Sequence, residues 1–300
     1  MAAAKVLTLS EAVEHLLDDS ARLVAIGGMH MHNNPMAVIR EAVRQRRKIG
    51  RLLTSPSGSI GADLLVGAGL VEEVATAYVG FEHLGLAPCF RRKVESGAVR
   101  VVELDEAAIS HGLYAGAAGV PFVPLPLGLE LADLSKVNQE SYRMVEDPFG
   151  GARHLAVAAI RPDLAILHAT EADSDGNVAF KGCTFTDRLM ALAARHVLIQ
   201  VERLVGSEQI SAYASGSTLP AFLVDAVVVS PGGCHPTSSH GEYEYDQGDL
   251  ARYLELAATE EGLGIYLSDP LDGSEQGYWA NVNVEHLFPE FAANPRQSVA

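Results

Sequence analysis

Residues 23–43, LVAIGGMHMHNNPMAVIREAV, decide the fold of this chain. The apolar run at 23–26 has the length of a short buried strand, and the glycine pair that follows ends it. Asn34-Pro35 has the residue types of a helix N-cap and a first helical position. Apolar residues then recur at helical spacing: Met36, Ile39, Val43. The stretch therefore predicts a strand, a glycine loop and a helix.

The same alternation continues along the rest of the chain. Further strands are predicted at 51–54, 74–79, 99–103, 122–124, 164–168, 197–201 and 226–230. Helices are predicted at 10–17, 64–68, 107–118, 188–195 and 248–261, the first with Ser10 as its cap, and 138–151 as a surface connection. Strands that alternate with helices favour an α/β fold with an open, mostly parallel sheet that helices cover on both faces.

Composition limits the classes of function. The 300 residues, 48% of them hydrophobic, can bury a large core, and we predict one domain over residues 1–300. A formal charge of -16 argues against a nucleic-acid surface. The sequence has no long apolar run and no secretory leader, which predicts a cytoplasmic protein. Its three scattered cysteines support neither a disulfide framework nor a zinc knuckle.

The glycine pair is the first candidate site. Gly27 and Gly28 follow a strand, where open α/β sheets place their ligands, and their N–H groups could form an oxyanion hole. A tight turn with no ligand explains the pair equally well. His30 and His32 nearby are a weak metal pair, because no carboxylate stands at ligand spacing, and we predict no metal.

The second candidate is the acidic segment VVELDE at residues 101–106. Glu103 and Glu106 could act as nucleophile or general base in a partly apolar cleft. The alternative is an acidic helix N-terminus, where the helix dipole favours carboxylates.

Three further patterns have structural explanations. The Asp-rich segment after residue 168 is typical of an Asx turn. Cys234 beside His235 is poor evidence for a nucleophilic dyad, because adjacent side chains point apart. The basic clusters at 44–51 and 91–93 are typical of helix C-termini, with a phosphate-binding patch as the alternative.

The order and wording of these segments resemble a known family. The similar stretches include IGGMHMHNNPMAVIREAVRQ at 26–45, VVELDEAAISHGLYAGAAGVPFVPLP at 101–126, LHATEADSDGNVAFKG at 167–182 and VVVSPGGCHPTSSHGEYEYD at 227–246. Together they resemble the α subunits of family I coenzyme A (CoA) transferases, of the glutaconate CoA-transferase type.

The resemblance implies an α subunit that pairs with a β-type subunit in a heterodimer or α2β2 assembly. It implies CoA as a substrate, with no tightly bound cofactor, and a thioester-forming glutamate on the partner, because no Glu-Asn-Gly stretch occurs here. Gly27, Gly28 and Met29 would form the CoA-binding loop, with Met29 in place of the family's usual phenylalanine.

Two alternatives remain open. The sequence is also similar to the α subunit of a steroid ring-opening hydrolase, in which a glutamate at a position matching Glu103 or Glu106 would act. A more distant alternative is a sugar-phosphate isomerase or sensor that uses the hydroxyls of the turn at 55–59.

Overall fold

The computed structural model describes residues 5–18, 20–268 and 274–282. Its strands are β1 Leu23–Ile26, β2 Ile49–Thr54, β3 Ser57–Gly58, β4 Val71–Thr76, β5 Tyr78–Val79, β6 Arg100–Glu103, β7 Phe122–Pro124, β8 Tyr142–Glu146, β9 Arg153–Ala158, β10 Leu164–Ala172, β11 Val178–Ala179, β12 His196–Leu204, β13 Thr218–Leu219 and β14 Ala226–Val229. Its α-helices are α1 Leu9–Leu16, α2 Met36–Arg44, α3 Ile60–Gly67, α4 Pro88–Glu95, α5 Glu106–Ala117, α6 Leu134–Val137, α7 Asp187–Ala193, α8 Ser207–Ser211, α9 Gln247–Ala257, α10 Glu260–Ser268 and α11 Glu275–Asn281. Short 3-10 helices occur at Glu82–Leu84, Leu129–Leu131, Ser215–Ser217 and Ala221–Leu223.

Nine strands of the described chain form the main sheet. Seven of them are parallel, in the order β14-β12-β10-β1-β2-β4-β6. The short strands β11 and β13 add antiparallel pairs beside the carboxyl end of β10. The predicted α/β class with an open, mostly parallel sheet is therefore confirmed.

The strand order reverses between β1 and β10. From β1 the chain moves outward through β2 and β4 to β6, and from β10 it moves the other way through β12 to β14. Ile26, at the end of β1, pairs with Thr54 on one side and Ile166 on the other. Open α/β sheets bind ligands at such a switch point, beyond the carboxyl ends of the strands. The loop after Ile26 therefore lies where this fold places a ligand.

Both faces of the sheet are buried. In β1, Val24 and Ile26 pack with residues of α2, α3 and α9, whereas Ala25 packs on the opposite face with residues of α5 and α7. Successive side chains of a strand point to opposite faces, so near-continuous apolar strands are what a sheet covered on both sides requires. In the described part of the chain, no helix is apolar over a length that could cross a bilayer.

The segment that follows α5 forms a second, smaller sheet. The predicted strand at 122–124 exists, but it pairs antiparallel with β9 and does not join the main sheet. The predicted connection at 138–151 contains β8, which pairs with the other edge of β9. Tyr142 connects this sheet to the segment between β6 and α5, because its hydroxyl accepts a hydrogen bond from the N–H of Asp105, the N-cap of α5, at 2.9 Å.

Helix ends also differ from the prediction. Thr8, not Ser10, caps α1 in a capping box with Glu11. Asn34 does not cap α2: its side chain donates to the His30 and His32 carbonyl oxygens, at 3.0 and 3.1 Å. The predicted helix at 248–261 is two helices, α9 and α10.

A side chain from the sheet takes the place of the missing cap on α2. Gln200 Oε1 accepts hydrogen bonds from the Ala37 and Val38 N–H groups, at 3.1 and 3.3 Å. These amides belong to the first turn of the helix, which has no partners of its own. Gln200 therefore fixes the start of α2, and with it the end of the glycine loop, to β12.

Candidate functional site

The glycine loop occupies the switch point. The Gly27 N–H donates to the Ile166 carbonyl oxygen at 2.9 Å, which extends the β1–β10 ladder by one bond. The Gly28 N–H donates to both carboxylate oxygens of Asp187, at 3.0 and 3.3 Å. Gly28 has a φ of +79°, and a Cβ there would lie 2.5 Å from the His32 carbonyl oxygen. Only glycine fits this position.

The predicted oxyanion donors are already hydrogen-bonded. An oxyanion role would require the Gly27 and Gly28 N–H groups to leave Ile166 and Asp187. The Met29 N–H is also engaged, by the carbonyl oxygen at residue 32. Close packing accounts for Gly27, because a Cβ there would lie 2.8 Å from Asp187 Oδ1. The assignment of Gly27, Gly28 and Met29 to CoA binding stays a prediction.

Asp187 is a site residue that the sequence analysis missed. It is the first residue of α7, it is 1% exposed, and it holds the glycine loop from 159 positions further along the chain. Burial raises the pKa of Asp187 to about 7, and the hydrogen bond from the Gly28 N–H opposes that rise. A lone Asp before an apolar stretch gives no sequence signal for such a role.

Strained backbone marks the surroundings of the loop. In the described ranges, five non-glycine residues have a positive φ, and four belong to this region: His30, Asn33, Glu82, Phe185. His30 Nδ1 lies 3.5 Å from Glu82 Oε1, and the Phe185 ring lies 5.5 Å from the His240 ring. The His240 N–H donates to Asn33 Oδ1 at 3.0 Å. Such conformations cost on the order of 1 kcal/mol or more each and concentrate at functional sites.

Three imidazole rings, from His30, His32 and His240, line this region, and we call them the imidazole cluster. The His32 and His240 ring centroids are 5.4 Å apart, and the Tyr245 ring lies 6.1 Å from His32 in an edge arrangement. His32 Nδ1 forms a hydrogen bond with Ser238 Oγ at 2.7 Å. Burial, followed by the neighbouring His240, lowers the pKa of His32, so its ring is neutral at neutral pH.

Hydroxyl groups line the ends of β2 and β4, where the sugar-phosphate alternative needs them. Thr54 Oγ1 and Thr76 Oγ1 share a 2.7 Å hydrogen bond. Ser59 Oγ donates to the His30 carbonyl oxygen, and Ser55 Oγ donates to a carbonyl oxygen of the same turn at 3.3 Å. These hydroxyls are already hydrogen-bonded within the protein, so they give the sugar-phosphate alternative no support.

The acidic candidates lie away from the loop. Glu103 ends β6, the edge strand, three strand spacings of about 4.8 Å from β1, or roughly 14 Å. Glu106 begins α5 behind the N-cap Asp105, whose carboxylate accepts from the Ala107 N–H at 2.8 Å. Both glutamates are exposed in this chain. The structure does not bring them to the glycine pair, and their catalytic assignment stays a prediction.

A buried polar network stands behind the site. His168, Glu202 and Cys234 place potential metal-ligating atoms within 4.8 Å of one another. Gln200 Nε2 donates to His168 Nδ1 at 3.1 Å, which leaves the ring proton on Nε2, near Ser239 Oγ at 2.9 Å. Both ring nitrogens are thus used in hydrogen bonds.

Burial also disfavours charge in this network. It lowers the pKa of His168 to about 3, raises that of Glu202 to about 7 and raises that of the Cys234 thiol well above its ordinary value. Hydrogen bonds within this network account for the trio without an ion. The expectation of no metal stays a prediction.

The neighbouring Cys234 and His235 do not form a dyad. The His235 ring bonds with the Tyr278 hydroxyl through Nδ1 and with Asp246 Oδ2 at 3.2 Å through Nε2. By contrast, the Asx turn was predicted correctly. The Asp173 carboxylate accepts from the Asp175 and Asn177 N–H groups.

Cavities and basic side chains lie elsewhere. Two cavities, of about 370 and 260 Å³, both include Leu23, the first residue of β1, and Arg51, its neighbour in β2. Cations of both predicted basic clusters are ion-paired: Arg51 with Glu73 at 2.8 Å, and Arg92 with Glu260 at 3.2 Å. These pairs favour the structural explanation of the basic clusters over a phosphate-binding patch.

Comparison with known proteins connects this geometry to a family. The chain matches the coenzyme A transferase family over residues 6–230. It is 32% identical to the A subunit of 3-oxoadipate CoA-transferase from Pseudomonas knackmussii, over 91% of this chain and 95% of that protein. It is 31% identical to the cholesterol ring-cleaving hydrolase IpdA subunit of Rhodococcus jostii, over 93% of this chain and 95% of that protein. An uncharacterized protein of Archaeoglobus fulgidus is 34% identical over 93% of this chain, which spans 62% of that protein's length.

The fold gives the same result. The structure of glutaconate coenzyme A-transferase from Acidaminococcus fermentans superimposes with a TM-score of 0.87 and 26% identity, over 95% of each chain. The resemblance inferred from the sequence is thereby confirmed. The family match covers well over half of the chain, and the 3-oxoadipate CoA-transferase relative matches over most of its length. The chain therefore belongs to the coenzyme A transferase family, in which it is an α-type member.

Proposed function

We propose that this α-type chain forms its active site together with a separate β-type chain and moves CoA from an acyl-CoA to a carboxylic acid. The observation that carries the proposal is the openness of the switch-point site. The imidazole cluster is half-exposed, and Glu103 and Glu106 are exposed at the edge of the sheet. The buried carboxyl beside the loop, Asp187, is engaged by the Gly28 N–H. A second chain would close the cleft and provide the nucleophile.

The proposed reaction has two covalent stages. A partner glutamate attacks the thioester carbonyl, CoA thiolate leaves, and an acyl-glutamyl anhydride forms. The thiolate then attacks the glutamyl carbonyl, which releases the first carboxylic acid and leaves a glutamyl-CoA thioester. An acceptor carboxylate repeats the sequence in reverse and departs as the new acyl-CoA. No atom changes its oxidation state in these acyl transfers, so the reaction as proposed needs no redox cofactor.

In this proposal, the chain contributes a rigid loop that forms one wall of the active-site cleft. The loop after β1 is cross-linked by hydrogen bonds of Asn34 to two carbonyl oxygens and of the His30 N–H to the Ser57 carbonyl oxygen at 2.8 Å. Rigid placement of this kind lowers the entropy cost of bringing reactants together. Gly27, Gly28 and Met29 would face the CoA ester. The single domain over 1–300, a heterodimer or α2β2 assembly and a cytoplasmic location belong to the same proposal.

Isotope exchange separates transfer from hydrolysis. The chain, a β-type partner and their mixture are each incubated with an acyl-CoA and the matching radiolabelled free acid. We expect label to enter the acyl-CoA only in the mixture. Absence of exchange, together with hydrolytic opening of a cyclic CoA ester that keeps its thioester and is abolished by Glu103→Gln or Glu106→Gln, would instead support the ring-opening hydrolase alternative, in which one of these carboxylates activates water. Turnover by the chain alone would contradict the proposal.

A further inference from the structure

The imidazole cluster has unused hydrogen-bonding capacity. In the ranges that the structure describes, His32 Nε2 and both ring nitrogens of His240 have no hydrogen-bond partner. His30 Nδ1, Thr186 Oγ1 and Arg188 Nε are buried and also lack a hydrogen-bond partner. Native proteins rarely leave buried polar atoms unpaired, so each such atom requires an explanation. Their convergence beside the glycine loop points to a ligand that the cluster would complete.

The rings around these nitrogens supply apolar contact area. Phe185 packs on His240 with 5.5 Å between ring centroids, and Tyr245 packs on His32 at 6.1 Å. On the other side, Tyr78 lies 6.1 Å from the His30 ring. An aromatic wall with a few placed donors is the usual form of a small-molecule subsite.

The charge around the cluster is acidic. Glu82 Oε1 lies 3.5 Å from His30 Nδ1, and both Glu82 and Glu244 interact electrostatically with His32. A free carboxylate at the far end of the acyl chain, a second one in addition to the carboxyl group bound to CoA, would be repelled by Glu82 and Glu244 if it entered the imidazole cluster.

The basic side chains nearest the cluster are already neutralised. The Lys181 stem lies beside Gly241, the residue after His240. Its ammonium pairs with Glu242 at 2.6 Å, and Arg203 pairs with the same carboxylate at 2.8 Å. These ion pairs occupy Lys181 and Arg203, whereas the imidazole donors can still meet a ligand oxygen.

We propose that the imidazole cluster, flanked by Phe185 and Tyr245, recognises an uncharged oxygen on the acyl chain, such as a keto or hydroxyl group, and disfavours a second carboxylate. The inference rests on the proposed function and names its substrate class. A neutral imidazole N–H donates to a carbonyl oxygen, whereas an anionic chain end would meet the carboxylates of Glu82 and Glu244. The substrate preference of this chain would thus differ from that of a CoA-transferase that acts on dicarboxylic acids.

Four five-carbon CoA esters test this preference. Pentanoyl-CoA, 3-oxopentanoyl-CoA, 4-oxopentanoyl-CoA and glutaryl-CoA are mixed with excess two-chain enzyme, and consumption of the ester is followed in a single turnover. We expect at least one oxo ester to react about fivefold to tenfold faster than the pentanoyl ester, from one added hydrogen bond. We expect glutaryl-CoA to react slowest, by at least about tenfold relative to the best ester.

Variants assign the preference to the cluster. His240→Phe should remove the oxo preference, His240→Gln should keep part of it through its amide donor, and Glu82→Gln with Glu244→Gln should raise the rate with glutaryl-CoA. His196→Gln, at the amino end of β12, is the matched control and should leave the preference unchanged. A wild-type preference for glutaryl-CoA, or an oxo preference that survives His240→Phe, would overturn the inference alone. If no ester is consumed, the proposed function fails, and the inference falls with it.

Discussion

Replacement of Asp187 by asparagine removes a carboxyl group that the fold keeps protonated at mildly acidic pH. The side chain is 1% exposed, and its oxygens accept from the Gly28 N–H. Asparagine keeps an acceptor oxygen of the same shape for that donor but cannot ionise. The substitution therefore isolates the cost of placing a negative charge at this position.

The size of the effect follows from the pKa. A rise from 3.8 to about 7 corresponds to up to about 4 kcal/mol, at about 1.4 kcal/mol per pH unit. Between these pH values the folded state holds a proton that the unfolded state has lost. The contribution of Asp187 to stability is therefore complete below about pH 4, falls as the pH rises and levels off above about pH 7. Asp187→Asn lacks this slope.

Urea denaturation of both proteins at several pH values from 4 to 8 measures the difference. We expect the free energy of unfolding of Asp187→Asn to rise relative to wild type across this interval, by up to about 4 kcal/mol. Burial also raises the pKa of Glu202 to about 7, but this group is present in both proteins and its contribution cancels. A difference that does not change with pH would refute the assignment of a buried, protonated carboxyl beside the glycine loop.

Three other substitutions test the packing around the site by urea denaturation. Gly28→Ala should lower the free energy of unfolding by roughly 2–5 kcal/mol, because the residue has a left-handed φ and its Cβ would clash with the backbone. Gly69→Ala is the control, because this glycine has a φ of +69° but open space around it, and it should cost only about 1–2 kcal/mol. Equal costs would contradict the predicted clash at Gly28. Glu202→Ala should cost about 3 kcal/mol, because a tyrosine hydroxyl and a backbone N–H lose their acceptor, and Glu202→Gln clearly less. Arg40→Ala should cost about 2–3 kcal/mol, because its hydrogen bonds to Glu275 are lost while Arg44 still pairs with that carboxylate, and a loss below about 1 kcal/mol would exclude the Arg40 pairing.

The local hydrophobic pattern was sufficient to predict most strands of the main sheet. The strand predicted at 197–201 lies inside β12, and the one at 164–168 begins β10. Apolar runs between turn residues carry this information, because a strand buried on both faces must be apolar throughout. The residues at 122–124 also form a strand, but local sequence does not encode which strand becomes its partner. They pair with β9 in the smaller sheet.

The sequence indicated only some of the residues of the candidate site. Gly27 and Gly28 stand out because a glycine pair after a strand is a local signal. Asp187 and His240 reach the same loop from about 160 and 210 positions away, and only the folded sheet brings them together. The oxyanion role assumed free N–H groups, and tertiary acceptors engage them here. Family membership followed from the order of motifs, which chance rarely reproduces.

The central claim is that the catalytic carboxylate belongs to a second chain. The direct measurement is peptide mass spectrometry of the α/β complex after incubation with an acyl-CoA and reduction with borohydride, which converts a glutamyl-CoA thioester to a stable alcohol. We expect one modified glutamate on the β-type chain and none on this one. A reduced glutamate at position 103 or 106 of this chain, or turnover with no modified residue on either chain, would contradict the claim.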